Sequence, residues 1–110
     1  MFDKKVTINR LGYVGSIGID SGQAMVGDPC YLDEWQTNKG EEWNLEGKEG
    51  EYSYQGASAT TLVGNMGVLG NGQAVVFSTG YGDGLYPVYV SLDENNRVSK
   101  VVIDFEGEIE

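Results

Sequence analysis

Histidine is absent from this chain, cysteine and proline are scarce at one and two residues, and only seven side chains are basic. Without histidine, the dyads and triads that use it as a base are excluded, and the usual tetrahedral zinc site cannot be assembled from the chain's own ligands. The lone thiol, Cys30, excludes an intrachain disulfide. Seven Lys and Arg stand against 17 Asp and Glu, a net charge of −10. That balance repels the phosphate backbone that dominates nucleic-acid affinity, so no nucleic-acid partner is expected. No long apolar run is present either, and Met1 to Lys5 lead into a polar-alternating segment. Neither a signal peptide nor a membrane span is expected, and the simplest expected location is cytoplasmic.

What the chain does contain is glycine, 17 residues of it, with 40% hydrophobic and 22% charged residues in 110. The mixture predicts a folded chain with many tight turns rather than a disordered one. A single β-rich domain over residues 1–110 is expected, large enough to bury a core without staples. The fold class this predicts is mainly β, a small antiparallel sandwich or partly open barrel with one short helix.

Strand-like alternation covers Val6 to Ile8 and Tyr13 to Ile19. Asp20-Ser21-Gly22 reads as a turn and Gln23 to Val26 as the returning strand. Asp28 followed by Pro29 is an N-cap and first-turn pattern, predicting a short helix or helical turn from Pro29 to about Gln36. Residues 37–50 read as the most mobile loop. Glu51 to Gln55 and Ala59 to Val63 read as short strands, and the glycine-rich stretch 64–72 as loop. Gln73 to Thr79, Leu85 to Leu92 and Arg97 to Phe105 read as a three-strand meander with turns at 80–84 and 93–96. Pro87 lacks an amide donor, which predicts an edge position or a bulge at that point.

Chemistry-bearing residues gather in sequence around the predicted turns. Asp20, Asp28, Asp33 and Asp83 could supply oxygen ligands to Ca²⁺ or Mg²⁺, although the spacing matches no dedicated loop and each aspartate also has a turn or capping role. No cofactor is required by the sequence. Cys30, with no histidine and two aspartates nearby, reads as a buried, inert thiol. The glycines at 64–72 and 80–84 fit neither a P-loop nor a dinucleotide fingerprint, so loop geometry explains them better than an anion nest. Tyr81, Tyr86 and Tyr89 cluster near the 80–84 turn, where recognition and strand packing are equally good accounts.

Val14-Gly15-Ser16-Ile17-Gly18-Ile19-Asp20-Ser21-Gly22, Gly27-Asp28-Pro29-Cys30-Tyr31-Leu32, the run Ser78 to Val90 and Val102-Ile103-Asp104-Phe105 together resemble a family of small uncharacterised bacterial and phage proteins, a domain of unknown function. The resemblance covers most of the chain outside 37–50 and implies no catalytic residues. Phage membership would favour an accessory role.

The leading expectation is a non-enzymatic binding module for a small molecule or a protein. Its predicted site joins Asp20, Ser21, Asp28, Tyr31, Gly80, Tyr81, Gly82, Asp83 and Tyr86. The alternatives are a divalent-metal-dependent phosphoester hydrolase, with carboxylates holding the ion, and a structural or assembly protein pairing through edge strands such as the one containing Pro87.

Overall fold

The computed structural model describes residues 11–36 and 49–107. The predicted strand at Val6 to Ile8 and residues 37–48 of the predicted mobile loop lie outside the described residues. The chain divides into two compact units, one comprising Ile19–Asp83 and the other the two flanking stretches, Met1–Gly18 and Gly84–Glu110. Their elements in chain order are β1 (Leu11–Ile19), β2 (Gln23–Gly27), a 3-10 helix (Pro29–Glu34), α1 (Tyr54–Gly64), β3 (Met66–Leu69), β4 (Ala74–Ser78), β5 (Gly84–Leu92) and β6 (Val98–Ile103). The result is mainly β, as expected: two three-stranded antiparallel sheets, ordered β1-β5-β6 and β2-β4-β3, with one short α-helix among the described residues.

In the Ile19–Asp83 unit, β4 is the middle strand and pairs Val76 with Met25 of β2 and with Gly67 of β3. Alternation then puts Gln23, Met25, Gly67, Leu69, Ala74 and Val76 on one face of the sheet. Helix α1 packs against β3 and β4. Tyr52, Ala57, Leu69, Ala74 and Val76 form the core, with Trp35 packed against it. Leu69 is 0% and Val76 1% exposed.

The α-helix replaces the two short strands expected at 51–55 and 59–63. Ser53 caps its start, its hydroxyl accepting from the Gly56 amide at 2.9 Å. Asn65 ends it in the left-handed conformation at φ 69°, its amide donating to the Thr61 carbonyl. Gly56, the serines and the threonines make this a weak helix by propensity, and Tyr52 and Tyr54 mimic strand alternation. Tertiary packing decides the outcome. A Cβ at Gly56 would strike the carbonyl oxygen of Glu51, and one at Gly67 would strike the Thr60 methyl. Thr60 itself, buried, donates to the Gly56 carbonyl at 2.7 Å and accepts from the Gly50 amide at 2.8 Å.

In the other unit, β5 and β6 form the expected hairpin, with Val88 opposite Ile103 and a bulge between Ser91 and Leu92. Its turn is held by Asp93, whose Oδ1 accepts from the amides of Asn95 (2.8 Å) and Arg97 (2.9 Å). The expected three-strand meander is corrected here, because β4 belongs to the other sheet. The strand containing Pro87 is central rather than an edge. Pro87 accepts from the Asp104 amide at 3.1 Å but has no amide to return, and β6 stops at Ile103. The bulge lies four residues further on.

Three substitutions test this packing by urea denaturation. Leu69→Ala is expected to cost roughly 2–5 kcal/mol through the cavity it leaves, and Gly56→Ala about 1–3 kcal/mol through overpacking against backbone. Gly64→Ala, where an added Cβ meets nothing within 4 Å, is expected to be neutral or to stabilise α1 by up to ~1 kcal/mol.

Candidate functional site

The turn Asp20-Ser21-Gly22 and the loop 79–83 lie side by side at one end of the β2-β4 pair. Gln23 is opposite Ser78, and one residue beyond the pair the Thr79 amide donates to the Gly22 carbonyl at 2.9 Å. Thr79 is buried, and its side chain organises the loop. The hydroxyl donates to the Gly82 carbonyl at 2.9 Å and accepts from the Tyr81 amide at 3.1 Å. Gly80 and Gly82 take positive φ values of 79° and 85°, which a side chain would strain. Asp83 reaches the same place, its Oδ1 lying 4.0 Å from where a Cβ on Gly22 would sit.

A cleft of about 140 Å³ opens in the same unit, with Ser21, Gln23, Met25, Trp35, Tyr54 and Val76 in its walls. Two of these walls are locked in place. Gln23 donates through Nε2 to the Ser58 hydroxyl (2.9 Å) and accepts at Oε1 from Thr61 (3.0 Å), so both ends of its amide are tied to α1. Trp35 meets Tyr52 edge-to-face with centroids 5.0 Å apart, and the next residue, Gln36, donates its amide to the Tyr52 carbonyl. Ser21, Met25 and Tyr54 are the more exposed walls. A cleft of this size takes one benzene-sized group.

The predicted site residues are thus distributed unevenly. Asp20, Ser21, Gly80, Tyr81, Gly82 and Asp83 come together around the Thr79 loop, with Tyr81 exposed. Asp28 and Tyr31 follow the opposite end of β2, where Gly27 pairs with Ala74. There Asp28 caps the 3-10 helix, its Oδ1 accepting from the Cys30 amide at 2.9 Å, as the Asp-Pro pattern predicts. Cys30 is exposed rather than buried, because the short 3-10 helix presents no buried residue.

Tyr86 belongs to the other unit. It is 8% exposed and stacks edge-to-face on Phe105 at 5.0 Å. Tyr89, three positions along the same strand, pairs instead with Tyr13 at 5.8 Å, as a period of two requires. The three tyrosines near the 80–84 turn therefore do not form one patch. Among the described residues, no three acidic or cysteine side chains gather as a metal ion would need, and no helix is long and apolar enough to cross a membrane.

Gln23, Met25, Trp35, Tyr54 and Thr79 were not singled out by the sequence. Gln23 and Met25 carried a usable signal, since both sit on the same face of a predicted strand. Tyr54 did not, because its place in the cleft depends on a helix the local pattern conceals.

These features define a small, mainly β protein with its polar turns and its cleft in one helix-backed sheet. The chain belongs to the family described as protein of unknown function (DUF4241), whose model matches residues 7–103. Neither the curated proteins nor the solved structures contain a match to it.

Removing the Thr79 hydroxyl tests how the loop is held. Thr79→Val keeps the shape but leaves the Tyr81 amide and the Gly82 carbonyl without that partner, at a cost of about 1–3 kcal/mol. Hydrogen exchange at the Tyr81 amide is expected to accelerate at least tenfold while amides in β4 are affected only through global stability. Unchanged Tyr81 exchange would mean that the hydroxyl does not hold the loop.

Proposed function

We propose that the chain is a non-enzymatic binding module that seats one apolar or aromatic group of a small molecule or a protein in the cleft beside α1. The observation that carries this reading is the combination of preset and adaptable walls. Gln23 and Trp35 are held by partners on α1 and in the core, whereas Met25 and Tyr54 are exposed enough to adjust. Recognition sites commonly pair an apolar hollow with a few fixed polar groups, and methionine adapts its shape to what it covers. Ser21 connects the cleft to the Asp20–Gly22 turn, so the loop at 79–83 would contact whatever extends beyond the hollow.

No observation favours the metal-dependent hydrolase over this reading. A rise in Tm with Ca²⁺, Mg²⁺ or Mn²⁺ that disappears in Asp20→Asn/Asp83→Asn, the two aspartates that lie at the same end of β2, would favour it.

Indole and phenol serve as probes of the cleft by NMR. Either is expected to bind with a Kd on the order of 1 mM, as ligands of this size do, and to shift the Met25 methyl and Trp35 side-chain resonances together. Met25→Trp, which fills the hollow from its exposed side, is expected to abolish the Trp35 shift while the protein stays folded. Shifts scattered over the surface, or none at all, would sink the reading.

A further inference from the structure

The sheet β2-β4-β3 has a second face, opposite the one that α1 covers. Register places Val26, Val75 and Val68 abreast across its three strands, with Ala24, Phe77 and Met66 abreast two residues away. All six are apolar and contiguous. Val26, Met66, Val68 and Val75 are each between 44% and 60% exposed. Isolated exposed hydrophobics are ordinary on a protein surface, but a patch continuous over three strands marks an interaction surface.

The charges in this unit decide which partner fits. Its described residues carry four aspartates and three glutamates and no Lys or Arg. Two of these acids are set near the same end of the face, where Ala74 begins β4. Asp28 lies two residues beyond Val26, and Glu49 adjoins Gly50, whose carbonyl takes the Gly70 amide just past the end of β3. A second copy of the chain carries the same net charge of −10, and like charges oppose association. We infer that this face docks a different protein, one that presents an apolar strip bordered by lysine or arginine. Burial of the valines supplies the affinity, and the unit's carboxylates select a basic partner and speed its encounter. The valines lie apart from the cleft, since Met25 and Val76 point to the opposite side of the sheet from Val26 and Val75, and of the six residues Ala24 alone also borders it.

The test uses the whole chain and three short capped peptides, one alternating valine with lysine, one serine with lysine and one valine with glutamate. The valine–lysine peptide is expected to shift the methyl resonances of Val26, Met66, Val68 and Val75 and to leave those of Met25 unmoved. It is expected to bind at least about tenfold more tightly than either control and to weaken several-fold as salt is raised to ~0.5 M, where charges further apart than a few ångströms are screened. The double substitution Val26→Thr/Val75→Thr keeps β-branched residues in the strands and is expected to remove the preference for valine over serine. Equal binding of the serine–lysine peptide would overturn the apolar contact, and equal binding of the valine–glutamate peptide would overturn the choice of a basic partner. Concentration-dependent self-association through the same methyl groups would make a second copy the occupant and likewise overturn the inference. Each of these results leaves the cleft untouched, because its probes report on Met25 and Trp35.

Discussion

Leu69 and Val76 look toward α1 from neighbouring strands, and the helix can lie over them because its buried residues, Gln55 apart, are small and its surroundings give way. Gly56 fits against the carbonyl of Glu51, Gly67 leaves room for the Thr60 methyl, and Ala57 and Ala59 complete the contact surface. This close approach stabilises a helix whose own propensity is poor. Thr60 shows how local and tertiary demands are joined there. Its hydroxyl bonds back to the helix at Gly56 and accepts from Gly50, which in turn lies beside the end of β3.

The same contact generates the cleft. With α1 set over β3 and β4, its N-terminal turn brings Tyr54 and Ala57 beside β2, while Ser58 and Thr61 hold the two ends of the Gln23 amide. Trp35 closes the far side because the 3-10 helix ends there and Gln36 forms a bridge to Ser53. A hollow thus results from a sheet flanked by a helix that covers β3 and β4 more fully than β2. On the opposite face of the sheet Val26, Val68 and Val75 stay exposed. Two surfaces of different character, a hollow and an apolar face, are carried by three short strands.

Much of the backbone plan was legible from local chemistry. Asp28-Pro29 announced a helical turn and Asp93 to Asn96 a hairpin, because both depend on a side chain that bonds to its own neighbouring amides. The adjacency of Asp20–Gly22 to the loop at 79–83 was anticipated in outline, although the buried hydroxyl of Thr79 that arranges it was not. Tyr86 and Tyr89 looked like partners of Tyr81 in a line of text. Strand alternation sends them to different faces, one onto Phe105 and the other onto Tyr13.

What the sequence by itself determined is the mainly β character, the turns, the acidity and the exclusion of histidine-based chemistry, since each follows from composition or from contacts within a few residues. Tertiary structure alone decided that residues 54–64 form a helix, that β4 leaves the C-terminal strands to join β2 and β3, and that Gln23, Met25, Trp35 and Tyr54 share one hollow. Those outcomes rest on contacts between residues far apart in the chain. Gln23 and Thr61 are 38 positions apart when their side chains meet, and burial against such distant neighbours outweighs the weak preferences that local sequence expresses.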